Sequence, residues 1–165
     1  MTKKLLLIRH AKSDWSTPNC SDFDRPLNKR GNDNALMMAK RLKNNNIILE
    51  NIVSSPALRA ISTANIIAAE LGTSEKNIQL NQSIYEASCD TLLKMINAFD
   101  EDTDFVTLFG HNNGITDLAV YLTDADIFNI PTCGMVMISF PFEDWKMISK
   151  NTGEVVFYDY PKKQS

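Results

Sequence analysis

The chain has only two histidines, His10 and His111, and each stands one residue beyond an apolar run: Leu5-Leu6-Leu7-Ile8 before the first, Phe105-Val106-Thr107-Leu108-Phe109 before the second. If both runs are strands of one parallel sheet, both imidazoles lie at the same sheet edge and can meet. They could otherwise be two independent strand-end histidines with local hydrogen bonds. A shared metal is a third reading, but no carboxylate or cysteine stands at a recognisable ligand spacing. Arg9 adjoins His10. Arg59, in Ser54-Ser55-Pro56-Ala57-Leu58-Arg59, falls in the first turn of a predicted helix. A helix N-terminus favours anions, and an arginine there adds a bidentate grip on phosphate. Taken alone, Arg59 also reads as a solvated helix residue.

The elements that would carry these groups alternate between strand and helix. Residues 3–8 form an apolar strand and 22–26 a polar loop. A helix over about 28–44 carries Ala35, Met38, Ala39 and Leu42 on one face. Residues 51–54 form a short strand. Ser55 is placed as an N-cap and Pro56 at the first helical position. The helix that follows aligns Ala57, Ile61, Ala64, Ala68 and Leu71, and Gly72 stops it. Residues 77–80 are a weak strand. Ser88 caps a helix with Leu92, Leu93 and Ile96. Strand 105–109 leads to a helix with Ile115, Leu118, Ala119 and Leu122. Residues 135–140 and 154–158 pair as antiparallel strands. Trp145 packs the end of the sheet, and the tail 161–165 frays. The pattern predicts a three-layer α/β/α sandwich with a mostly parallel central sheet, whose site lies beyond the carboxyl ends of the strands.

The 165 residues fit a single domain, 1–165. A formal net charge of −3 argues against a nucleic-acid or membrane-surface partner, which would call for a basic excess. Cys20, Cys89 and Cys133 are odd in number and far apart, which fits neither a zinc site nor a disulfide framework. A reducing cytoplasm is the expected compartment. The first apolar run is too short for a signal sequence or a membrane span. Nothing in the sequence points to an oligomeric state.

Five blocks in order carry a resemblance. Leu7-Ile8-Arg9-His10-Ala11 resembles the Arg-His-Gly signature of the histidine phosphatase, or phosphoglycerate mutase-like, superfamily, and its extension through Lys12-Ser13-Asp14-Trp15 resembles the SixA-type phosphohistidine phosphatases. Asp24-Arg25-Pro26-Leu27-Asn28-Lys29-Arg30-Gly31 is similar to that branch's D-R-P-L-x-x-x-G element. Ser54 to Ala60 with Thr63-Ala64 resembles the arginine-bearing element, Tyr85-Glu86-Ala87 the acid-bearing one, and Gly110-His111-Asn112-Asn113-Gly114 the second-histidine one.

The resemblance implies that His10 is a nucleophile that becomes phosphorylated, with Arg9, Arg59 and His111 holding the phosphoryl oxygens and Glu86 as general acid. It implies no metal and no organic cofactor. A protonated His111 would suit the oxyanion role. Glu86 also reads as a capping or solvated loop carboxylate, with Asp14, Asp22 and Asp24 as rivals. Ala11 replaces the signature glycine. Ser16 stands where the mutases carry an asparagine, and the long insertion that covers their site is missing, so a mutase is disfavoured. An open site suits a phosphorylated protein, phosphohistidine above all. A phosphatase of small phosphate esters is the alternative, and a phosphate-recognising module without turnover is the reading from outside enzymes. Lys12 and Trp15 either line the mouth of the site or shape its loop.

Overall fold

Strand β1 (Lys3–Arg9) buries both of its faces. Leu5 and Leu7 face one hydrophobic cluster, Leu6 and Ile8 another, so layers must lie on both sides of it. The computed structural model describes residues 2–163 and supplies those layers. Helices α1 (Lys29–Asn44) and α2 (Leu58–Glu70) cover one face, and α3 (Cys89–Asn97) and α4 (Gly114–Thr123) the other. The remaining strands are β2 (Ile52–Ser54), β3 (Gln79–Leu80), β4 (Phe105–Gly110), β5 (Met135–Phe140) and β6 (Glu154–Asp159).

The sheet order is β3-β2-β4-β1-β5-β6. The first four strands are parallel, β5 runs antiparallel to β1, and β6 antiparallel to β5. This is the α/β/α sandwich expected, with its antiparallel pair near the C-terminus. Arg9 is the register partner of Gly110, so the residues that follow them leave adjacent strands side by side.

Local details depart from the pattern in three places. Ser55 does not cap α2: the helix starts at Leu58, its N-cap is Ala57 without a side-chain hydrogen bond, and the Ser55 hydroxyl instead accepts from the Ala57 N–H. The buried stripe of α2 is Arg59, Ala60, Thr63, Ala64, Ile67 and Ala68, rotated from the expected one because an arginine and a threonine are drawn inward to the site. Pro161 is tied rather than frayed, its carbonyl accepting from Arg41 Nη2 at 3.1 Å; residues 164–165 of that tail lie outside the described residues. Asn28 and Ser88 do cap α1 and α3, accepting from Gly31 N and Thr91 N. Trp145 is fully buried, donates to the Thr103 carbonyl at 2.7 Å and meets Phe99 edge-on.

Candidate active site

Three consecutive strands, β2, β4 and β1, deliver Ser55, His111 and His10 to the carboxyl edge of the sheet. Backbone bonds fix the order: Ser55 N donates to Phe109 O at 3.0 Å and His10 N to Gly110 O at 3.1 Å. The two imidazoles meet with ring centroids 5.2 Å apart and planes tilted by 53°. Both are buried, as is Arg59.

His10 Nδ1 lies 2.7 Å from the Ala11 carbonyl oxygen. A carbonyl only accepts, so the ring proton sits on Nδ1 and a neutral His10 carries its lone pair on Nε2. Burial, above all, pushes this imidazole down to about 3, with His111, Arg59 and Arg9 adding to the effect and the Ala11 hydrogen bond opposing it. His111 is pushed down to about 4, again chiefly by burial and then by Arg59. The protonated His111 that suits the oxyanion role therefore depends on the charge of a bound phosphate to raise its pKa. Its Nε2 lies 2.8 Å from Ser55 Oγ, while Nδ1 is buried without a protein partner.

The loop after His10 is locked to both helices of its face. Ala11 N donates to Thr63 Oγ1, which donates in turn to the Arg59 carbonyl. The Ala11 methyl is fully buried in the core beneath, so alanine is accommodated where the signature has glycine. Gly31 backs onto the Lys12 carbonyl so closely that a Cβ would overlap it, and Gly114 backs likewise onto the Ala87 carbonyl. These contacts explain the glycines of two of the sequence blocks.

Arg9 Nη1 donates to Ile130 O at 2.9 Å. Arg59, the second residue of α2, binds Asp22 twice, through Nη1 to the carbonyl at 2.6 Å and Nη2 to Oδ2 at 3.0 Å. Each of these two arginines also has a buried Nε without a protein partner. Burial lowers Arg9's affinity for its proton, and Arg59 lowers it further, which marks a pocket of crowded positive charge.

The sequence reading missed Arg25, Tyr85 and the role of Ser55. Arg25 is buried, donates to Asp22 Oδ1 at 3.1 Å and stacks its guanidinium 3.5 Å from the Trp15 ring. Tyr85 donates to Asp22 Oδ2 at 2.6 Å and meets the His111 ring edge-on at 5.6 Å. The signal for Arg25 was a lone cation before proline in the loop leading to α1. Trp15 is 78% exposed apart from the Arg25 guanidinium stacked on its ring. Lys12 is exposed, and its carbonyl accepts from Asn28 N. Ser16 folds back on Asp14 through both N and Oγ, away from the role of the mutase asparagine.

Among the carboxylates, Glu86 is exposed at a turn with φ of +57°. Asp14 is held below the usual carboxylate range by the Ser16 hydroxyl and amide. Asp22 is held far below it, first by the Tyr85 hydroxyl and then by Arg25 and Arg59, which outweigh its partial burial. Both are thus held further from the protonated form that a general acid needs than an ordinary carboxylate is. Asp24 is exposed and accepts from the Ser21 hydroxyl. The described residues form no group of three or more His, Cys, Asp or Glu placed to hold a metal ion. No described helix is long and apolar enough to cross a membrane.

The sequence profile of the histidine phosphatase superfamily (branch 1) matches residues 5–102. An uncharacterized chloroplastic protein of Arabidopsis thaliana is 28% identical over 154 residues, covering 88% of this chain and 70% of its own length. Among solved structures, a candidate phosphohistidine phosphatase SixA from Agrobacterium tumefaciens superposes with a TM-score of 0.81 at 24% identity, covering 98% of this chain and 99% of its own. The protein histidine phosphatase SixA in complex with tungstate gives 0.80 at 19% identity, covering 96% and 97%. At those identities the two structures show a common fold.

Proposed function

Since the chain belongs to the histidine phosphatase superfamily, branch 1, we propose that this phosphatase works through a phosphohistidine on His10 and acts on phosphohistidine in proteins. The carrying observation is the Nδ1–Ala11 contact, which fixes the tautomer that leaves Nε2 free to attack. In the first step the Nε2 lone pair forms a bond to phosphorus. The bond from phosphorus to the leaving imidazole nitrogen breaks, and that nitrogen keeps the electron pair and takes a proton from Glu86. In the second step water attacks phosphorus and gives its proton to Glu86. The P–N bond breaks, its pair returns to Nε2, and phosphate is released.

Arg9, Arg59 and His111 hold the equatorial oxygens, where charge spreads at the transition state. In this reading the Ser55 hydroxyl, which also accepts from Ala57 N, donates to His111 Nε2, 2.8 Å away. The His111 proton then rests on Nδ1, as a donor to the phosphoryl group, and a bound dianion draws a second proton onto the ring against the effect of burial. A phosphorylated imidazole presented by a folded protein needs an approachable pocket, and exposed Trp15 and Glu86, in two of the sequence blocks that resemble the family's, support that reading. Three free cysteines fit a reducing compartment such as the cytoplasm.

His10→Ala tests the covalent route. The wild type should form acid-labile, alkali-stable phosphate during turnover, and the mutant should form none and lose turnover while keeping its fold. Wild-type rates in the mutant would sink the mechanism. A panel of phosphohistidine protein against small phosphate esters decides the substrate: higher kcat/KM on the esters would favour the small-molecule reading.

A further inference from the structure

Four donor groups converge on Asp22. Arg59 supplies two, to the carbonyl and to Oδ2; Arg25 reaches Oδ1; the Tyr85 hydroxyl reaches Oδ2. The arginine side chains are 7% and 9% exposed, whereas that of Asp22 is 48% exposed. A half-exposed carboxylate thus sits on the same buried guanidinium that is placed to bind a phosphoryl group.

We propose that Asp22 is an internal competitor of phosphate for Arg59, and that it keeps the product weakly held so that it leaves. This rests on reading the His10 pocket as a phosphoryl site. Both terminal nitrogens of Arg59 already have an acceptor on Asp22, and its Nε is buried without one. A phosphate taking the two-nitrogen terminal edge must displace the carboxylate from Nη2 and the main-chain carbonyl from Nη1. A phosphate taking the Nε edge shares a guanidinium whose charge Asp22 offsets. In both cases the anion is bound less tightly than by unopposed arginines. Displacement is cheap on the aspartate side, because its carboxylate is already partly in water and keeps the Tyr85 hydroxyl as a partner.

A hydrolase of this kind leaves inorganic phosphate in its pocket at every turnover. Grip that strengthens substrate and product alike slows release without speeding chemistry. A carboxylate that weakens the grip of Arg59 on substrate, transition state and product alike lowers affinity without slowing the step from bound substrate, and so relieves that block. The competing role is a scaffold, in which Asp22 merely holds Arg59 in place. The two roles predict opposite signs when the charge is removed.

The test is titration of inorganic phosphate into wild type, Asp22→Asn, Asp22→Ser and Asp22→Glu at one ionic strength, followed by calorimetry and by 31P NMR, with thermal melts of each protein. The neutral variants should bind phosphate about three- to tenfold more tightly, the scale for removing one half-exposed unit charge a few ångströms from a dianion. Asp22→Glu should return towards wild type, and phosphate should inhibit turnover of the neutral variants at correspondingly lower concentration. Equal or weaker binding by the folded neutral variants overturns the proposal, as does failure of both to fold. If wild type itself binds no phosphate, the reading of the pocket fails and the proposal with it.

Discussion

Ser55 and His111 join neighbouring strand ends through a 2.8 Å contact between Oγ and Nε2, with Ser55 wholly buried. A serine that looks in sequence like a helix cap instead stands against a ring nitrogen of the second histidine, where we expect its hydroxyl to set the tautomer. Ser55→Ala leaves Nε2 buried without its partner, at a cost of about 1–3 kcal/mol. The mutant should melt lower, and its kcat/KM on an aryl phosphate should fall about tenfold, the order seen when an orienting hydrogen bond is removed from a site ligand. Ring 15N shifts should show the His111 proton redistributed between the two nitrogens. An unchanged tautomer with an unchanged rate would refute the orienting role.

The neutral histidines make stability depend on pH. Unfolded histidine titrates near 6.5, while His10 is pushed down to about 3 and His111 to about 4 in the fold. Between these values the unfolded chain binds more protons, so acid favours unfolding. The stability gained by keeping both rings neutral is complete above about pH 6.5 and is lost as pH falls towards 4 and 3. From pH 6.5 to 5 each ring contributes about 2 kcal/mol to that loss. Denaturant unfolding of His10→Ala should show about half of the wild-type loss across this window. Parallel curves would mean that burial does not depress His10.

Gly31 tests how firmly the nucleophile loop is seated. A Cβ there overlaps the Lys12 carbonyl, whose oxygen also accepts from Asn28 N, and Ser13 bridges to Leu27 in the same strip. Gly31→Ala must push the segment after His10 away from α1. It should destabilise the protein by about 1–3 kcal/mol, the range for overpacking, and lower kcat by displacing His10. Alanine at exposed Arg30, on the same turn, is the control and should change neither.

These residues mark what the sequence could tell. Strand-end histidines, the α1 face and the antiparallel C-terminal pair follow from periodicity and apolar runs, which the sheet obeys. The stripe of α2 did not follow, because Arg59 and Thr63 are turned inward by partners far along the chain, Asp22 and Ala11. Arg25 was hidden for the same reason: its burial depends on Trp15 and Asp22, and no spacing rule announces a stacked guanidinium. The depressed pKa of His111 was equally out of reach, since burial is a property of the assembled site.

Glu86 decides how the leaving group is handled. It stands exposed in a left-handed turn between Tyr85, which touches the His111 ring, and Ala87, whose carbonyl is packed against Gly114. Glu86→Gln should slow ester hydrolysis by about 10²–10⁴-fold, the usual span of general acid catalysis. Phosphohistidine hydrolysis should suffer much less, because imidazole leaves more readily than an alkoxide, and aryl phosphates should fall between. Rates across a series of leaving-group pKa values would show a steeper dependence in the mutant than in wild type. A uniform loss on every substrate would move Glu86 to binding or to activating the second-step water. No loss on any would make it a loop carboxylate and leave Asp14, Asp22 and Asp24 as the carboxyl groups to mutate next.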